Sequence, residues 1–307
     1  MTAALVSNLI SEPQSAAPSA VAKVVCREIQ TNDANGVIKL LTRGFSMARD
    51  RNFWVRAFKQ MSKHPTPAGY PRYGYILESG GEPVGVILLI FTSIDTGSLP
   101  TQIQCSVSSW YVDPNFRAFG TMLIACALKH KHVTYFNVTP APHTWNILTA
   151  QGYKLFSAGR VVAIPALSSS PRGSYVESVS GVVYEGNDLS PFEAGILKSH
   201  AAYGCISLIC HSGGKRYPFV FSVRRRFGVV QFGFLIYCRS LENFVRFSGV
   251  LGRHLLLRGI PLVILDANEP VPGLLGKFSN RNPKYFKGPN QPRLGNLSYS
   301  DRAMFGV

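Results

Sequence analysis

Arg117 and Gly120 stand where an apolar run gives way to a helical one, a setting in which backbone amides can meet a phosphate. Residues 108–123 read Ser-Ser-Trp-Tyr-Val-Asp-Pro-Asn-Phe-Arg-Ala-Phe-Gly-Thr-Met-Leu. The stretch opens as a strand, breaks at Pro114, and turns through Arg117 and Gly120 into a helix ending near Lys129. Met122, Leu123, Ala125, Cys126 and Leu128 supply the apolar stripe of that helix, and Lys129, His130 and Lys131 place positive charge at its C-terminus. Such a loop aims free N–H groups and the positive end of a helix dipole at one point. A diphosphate suits it, although an ordinary strand-to-helix turn would carry the same residues.

The order strand, Val-x-Pro-x-x-Arg-x-x-Gly, helix resembles the acyl-coenzyme A binding motif of the GNAT acetyltransferase superfamily. In that family the run is Arg/Gln-x-x-Gly-x-Gly/Ala, and its amides hold the coenzyme's pyrophosphate. Val112, Pro114, Arg117 and Gly120 match, whereas Met122 replaces the second small residue. Its side chain either crowds the phosphates or points into the core. The resemblance implies pyrophosphate contacts from Arg117, Ala118, Phe119, Gly120, Thr121 and Met122. It implies pantetheine contacts from Trp110, Tyr111 and Val112 and a thioester carbonyl polarised by an N–H near Val112. The family's helix asparagine is absent, Ala141 falling at its place, and Asn146 nearby is the candidate coenzyme contact instead. The family's acid tyrosine is replaced by Leu148, so Tyr111 is one candidate to protonate the leaving thiolate. No carboxylate lies within residues 102–111, which leaves Glu78, with Glu28 and Asp113, as candidate bases and His143 as the nearby imidazole. His143 reads equally as a loop residue without a chemical role.

The elements around this loop follow the same family order. A short strand at 24–30 precedes Thr31-Asn32-Asp33, a predicted cap for a helix with Val37, Ile38, Leu40, Leu41 and Phe45 on its buried side. A second helix, 50–62, carries Phe53, Trp54, Ala57, Phe58 and Met61 on one face. A hairpin turning at Ser79-Gly80-Gly81 and a strand at 102–112 lead into the loop. A strand at 132–138, a helix at 144–151 and the phrase Gln-Gly-Tyr at 151–153 follow. The resemblance covers residues 24–165.

At 307 residues the chain has room for two domains. Apolar residues make up 46%, yet no run approaches the ~20 needed for a membrane-spanning helix. The six cysteines are scattered with no CxxC pair, which suits buried thiols in a reducing cytoplasm, and no metal site is expected. Thirty-two basic against sixteen acidic residues give a net charge of +16, favouring anionic partners. Basic residues are spread over many segments rather than one dense run, so nucleic acid is the least favoured of these partners. An acidic small molecule, a glycan or lipid precursor, or peripheral contact with the inner face of a membrane fits better.

The second half reads as a repeat of the first, the alternative being an unrelated α/β domain with a similar element order. A hairpin at Ser212-Gly213-Gly214, a strand ending at Tyr237, a helix capped by Ser240 and a strand at 261–266 come in the same sequence. Glu242 stands at that helix's start, where a carboxylate would repel a diphosphate. The last thirty residues interleave basic side chains with Phe278, Tyr285, Phe286 and Tyr299, either lining an acceptor site or packing over a domain seam.

The expected fold is α/β: two tandem GNAT-like folds, each a mixed, mostly antiparallel twisted sheet flanked by helices. The expected parts are a flexible tail at 1–22, an acyl-CoA-binding domain at 23–165, a linker at 166–180 and a degenerate second domain at 181–307. The expected activity is acyl transfer from acetyl-CoA or a longer acyl-CoA to an amine or hydroxyl of an anionic acceptor, such as an amino sugar. The alternative is a non-catalytic GNAT-like binding module with a decayed site.

Overall fold

Apolar periodicity sets the first helices against their sheet. The computed structural model describes residues 23–47, 49–95, 101–179, 188–226 and 230–306, so the tail read at 1–22 lies outside the described residues. Strand β1 (Val24–Glu28) is followed by helices α1 (Ala34–Gly44) and α2 (Arg51–Lys63). Asp50 caps α2 by accepting the Phe53 N–H, and Trp54, Ala57, Phe58 and Met61 are its buried face. The cap expected at Thr31-Asn32-Asp33 is built otherwise. Those residues form a 3-10 turn, and the Asp33 carboxylate turns back to the Gln30 N–H and to Arg27.

Strands β2 (Gly74–Ser79), β3 (Glu82–Ile94) and β4 (Gln102–Val112) form an antiparallel meander. Helix α3 (Gly120–Ala127), β5 (Thr134–Asn137), α4 (Trp145–Ala150) and β6 (Lys154–Ser157) complete this part of the chain. Next come β7 (Gly159–Ala163), β8 (Tyr175–Ser178), α5 (Pro191–Ala202), β9 (Ile206–Ser212), β10 (Lys215–Arg226) and β11 (Val230–Cys238). Helix α6 (Leu241–Leu256), β12 (Leu262–Ala267), β13 (Gly276–Ser279), β14 (Lys284–Lys287) and α7 (Asp301–Phe305) finish the described chain.

Two seven-stranded sheets result, with one topology: β1-β2-β3-β4-β5-β14-β6 and β8-β9-β10-β11-β12-β7-β13. In each the fourth and fifth strands run parallel and the other neighbours antiparallel. The sixth position of each sheet is filled from the other half. Strand β7, directly after β6, enters the second sheet, and β14 returns to the first. The boundary expected near 165 therefore does not separate the sheets.

The expected linker is also built into the fold. Its β8 forms the edge of the second sheet, and residues 165–169 lie against α6. A Cβ at Gly249 would sit 2.1 Å from the Ser168 carbonyl oxygen, and one at Gly252 would sit 2.2 Å from the Ala166 nitrogen. Only glycine admits that approach.

Buried polar groups join the halves. Lys284 of β14 pairs with Asp266 of β12, both buried. His64, after α2, donates from Nε2 to the Phe91 carbonyl (2.8 Å) and bonds the Tyr203 hydroxyl through Nδ1 (3.1 Å). His200 of α5, fully buried, donates from Nδ1 to the Ile196 carbonyl and accepts the Tyr299 N–H at Nε2.

Candidate functional site

Parallel pairing between β4 and β5 covers Gln104–Thr134, Cys105–Tyr135 and Ser106–Phe136, after which the strands diverge. A cleft of about 290 Å³ opens in that divergence, lined among others by Val107, Ser108, Ser109, Trp110, Thr139, Leu148 and Tyr153. On the β3 side of β4, Ser109 and Trp110 together oppose the single residue Ile87. This is a bulge, and Ser109 holds φ at 40° within it. Above the bulge Asp113 gives its N–H to the Val84 carbonyl (2.8 Å). By the alternation of an antiparallel ladder, the Val112 amide then faces the diverging side. Trp110 Nε1 is buried without an acceptor among the described residues.

A short helix from far along the chain closes one wall. Asp301, the first residue of α7, is 2% exposed and lines the cleft. Its Oδ2 accepts from Thr139 Oγ1 (2.6 Å) beyond β5 and from Ser108 Oγ (3.1 Å) on β4. Its N–H reaches Ser106 Oγ (3.4 Å). The carboxylate thus ties the two diverging strands together, while its Oδ1 is buried with no partner among the described residues. Ser109 Oγ lies 3.1 Å from Ser108 Oγ. Because Ser108 gives its proton to a carboxylate, Ser109 is the donor in that pair, and its own lone pairs remain for a third group.

The expected residues fall in several places. His143 lines the cleft and is exposed, and Trp110 lines it from β4. Tyr111 points elsewhere: its hydroxyl donates to Asp113 (3.0 Å), which also pairs with Arg43, and its ring packs beside Phe45 and against Gly44. Glu78 is bound to Arg27, away from the cleft. Arg117, Ala118 and Thr121 are exposed, Gly120 is buried, and Asn146 is exposed on α4. Val112, Phe119 and Met122 pack against the core between the sheet and α3, so the Met122 side chain takes the second of its two expected positions.

The loop itself is not an open turn. Residues 114–119 form a 3-10 helix leading straight into α3, in which the Phe116 N–H goes to Asp113 and the Gly120 N–H to Arg117. Space does not require glycine at 120, since a Cβ there would meet the Trp110 ring at an ordinary 3.4 Å. The start of α3 has neither a side-chain cap nor an acidic residue, although the N–H of Gly120, its first residue, is already bonded to Arg117.

Asp301 and Tyr153 are the residues that sequence reading missed. Tyr153 stands in the Gln-Gly-Tyr phrase that was read only as a family ending. Its hydroxyl has no partner among the described residues, and burial pushes its pKa up, so it keeps its proton. Asp301 lies 193 residues from Ser108 in the chain, and no local pattern could have joined them.

The second sheet has the same divergence and a bulge at Ile236, but its cleft is taken. Leu297 gives its N–H to the Ile236 carbonyl (2.7 Å) and Cys238 gives its own to Gly295 (2.9 Å), with Asn296 bridged to Tyr237. Arg239, after that strand, is bound by Glu193 (2.8 Å). Backbone 295–297 therefore occupies the edge that stays open in the first sheet.

No family model matches the chain, and no curated protein matches it in sequence. Solved structures do match its fold. A candidate acetyltransferase from Pyrococcus horikoshii superposes with a TM-score of 0.55 at 11% identity, over 94% of this chain and 98% of that one. A GCN5-related N-acetyltransferase from Anabaena variabilis gives 0.54 at 11%, over 86% and 72%. A glucosamine N-acetyltransferase region of a fungal multidomain β-N-acetylglucosaminidase gives 0.54 at 11%, over 90% of this chain and 39% of that one.

Proposed function

From a chain built on the GNAT fold, we propose acyl transfer from an acyl-coenzyme A to an amine, carried out in the cleft between β4 and β5. The observation that carries this reading is the open divergence itself, with a bulged strand on one side and a half-bonded buried carboxylate inside it. The co-substrate supplies an activated carbonyl carbon, which the acceptor nitrogen attacks as the thiolate leaves. The Val112 amide faces the space a pantetheine carbonyl would take, and the start of α3, with no side-chain cap, suits the pyrophosphate. Asp301 takes the acceptor's proton, either at its free Oδ1 or through Ser109 and Ser108, whose hydroxyls already point toward it. Tyr153, which lines the cleft, is the hydroxyl assigned to return a proton to the sulfur, with His143 as the exposed alternative.

The acceptor fits best as an anionic amine, on the charge of the chain. An amino sugar within an acidic glycan or lipid precursor belongs to that class, and the fold shared with a glucosamine N-acetyltransferase region supports it. The aromatic wall leaves acetyl and longer acyl groups both open. A binding module without catalysis is the second reading, favoured by the 3-10 helix that consumes two loop amides.

Calorimetric titration with acetyl-coenzyme A and a long-chain acyl-coenzyme A tests the proposal, beside an Arg117→Glu/Gly120→Glu control. Saturable binding abolished in a folded control supports the site. A folded wild type that binds neither ligand removes it.

A further inference from the structure

One end of the second sheet gathers large aliphatic side chains on the surface. Strands β12, β7 and β13 lie in register there, with Val263 opposite Ala163 and Ala163 opposite Gly276. Because β7 runs antiparallel to both neighbours, its end meets their beginnings. Helix α6 reaches the same end, since residues 257–261 join its last turn to the start of β12. Ile164, just past β7, gives its N–H to the carbonyl of Leu275, just before β13 (2.9 Å). The 3-10 turn Pro165–Leu167 then lies against Gly252, and Leu256 stands one turn further along that side of α6. Ile164, Leu167, Leu256, Leu257 and Leu275 therefore share one end of the fold. All are exposed, Leu257 at 89% and Leu167 at 69%. Soluble surfaces scatter such side chains singly, so their gathering marks a contact surface.

The charge around this surface has one sign. Residues 159–169, 249–263 and 272–279, which build it, contain no Asp or Glu. Arg253, Arg258 and Lys277 are exposed among them. Arg253 reaches the Ala166 and Ser168 carbonyls from Nη1 (3.5 Å each), and Arg258 donates to Ser178 Oγ (2.9 Å) on the edge strand β8. Asp266, further along β12, is buried against Lys284, and Glu269 follows the opposite end of that strand. A two-fold contact with a second copy would set these cations against their own kind. A protein partner is commonly anchored by aromatic side chains in a pocket, whereas these are aliphatic tips on turns and a helix end. Aliphatic tips beside a basic rim suit anionic headgroups over acyl chains.

We propose that this end of the second sheet docks on an anionic lipid surface. Leu167, Leu257 and Leu275, with Ile164 and Leu256 beside them, enter the boundary between headgroups and acyl chains. Arg253, Arg258 and Lys277 meet the lipid phosphates. The docking does not depend on the acyl-transfer reading.

The test is co-sedimentation of the full chain with vesicles of phosphatidylcholine alone and of equal parts phosphatidylcholine and phosphatidylglycerol, at physiological salt. Partitioning onto the mixed vesicles is expected to exceed that onto the neutral ones at least about tenfold. Leu167→Ser/Leu257→Ser is expected to lower it about tenfold or more, and Arg258→Gln/Lys277→Gln about tenfold. Leu155→Ser, an exposed leucine of β6 in the first sheet, should leave it unchanged. Circular dichroism checks that each variant is folded, as exposed positions permit. A folded leucine variant that partitions like the wild type would mean adsorption by net charge alone, and overturns the surface. A wild type that ignores both vesicles also overturns it. If that wild type is a dimer and the leucine variant a monomer, the face belongs to a second copy; if both are monomers, an acidic protein takes the place of the lipid.

Discussion

Asp301 and Ser109 are each held in the cleft at an energetic cost. Asp301 is buried with one oxygen accepting two hydrogen bonds and the other without a partner among the described residues, an arrangement that stability alone would not favour. Asp301→Asn keeps an acceptor for Ser108 and Thr139 but cannot take a proton. Its turnover should fall about 10²–10³-fold with coenzyme affinity within about twofold, measured by steady-state rates and calorimetry. Ser109 holds a backbone angle that non-glycine residues adopt at a cost of about 1–3 kcal/mol. Ser109→Gly should therefore raise the melting temperature while slowing transfer, because strain and hydroxyl leave together. A variant both less stable and fully active would exclude the relay.

Elements explain which parts of the molecule could be read in advance. Both Ser-Gly-Gly hairpins, the helices α1, α2 and α6, and the strand leading to Tyr111 follow from apolar spacing and turn residues, and each appears where those signals stand. The Ser240 cap is present, accepting the Asn243 N–H. Strand β14 could not be read, because Lys284–Lys287 is too short to show alternation and its partners are distant in the chain. The segment 166–180 looked like a linker because Ser, Pro and Gly serve close packing as readily as freedom. Its contact with α6 gives a direct test: Gly252→Ala should destabilise the fold by about 2–4 kcal/mol, read by denaturant unfolding. A cost below about 0.5 kcal/mol would mean that the 165–169 segment yields freely.

At the scale of the whole molecule, interlocked sheets and buried histidines make the halves one unit. His200 has its pKa lowered to about 4 by burial, against an ordinary 6.5, and burial lowers His64 as well. Between those values the unfolded chain binds protons that the fold refuses. Stability is thus full above about pH 6.5 and is lost as pH falls toward 4, by about 3 kcal/mol for His200 alone. His200→Gln, if it folds, should flatten that slope in chemical denaturation measured across this range. Shared strands also predict a single unfolding transition by circular dichroism and by tryptophan fluorescence, since neither sheet closes without the other's strand. Two separated transitions would show that each half stands without its borrowed strand.

Strand exchange also sets a timetable for synthesis. When residues up to Ser157 have left the ribosome, β5 and β6 have no strand between them, and the cleft lacks its carboxylate. Both arrive only with residues 284–305, more than a hundred codons later. During that interval the nascent chain carries open sheet edges, which calls for shielding by a chaperone or by slow collapse. A prematurely terminated chain therefore has neither a finished first sheet nor the carboxylate of its cleft.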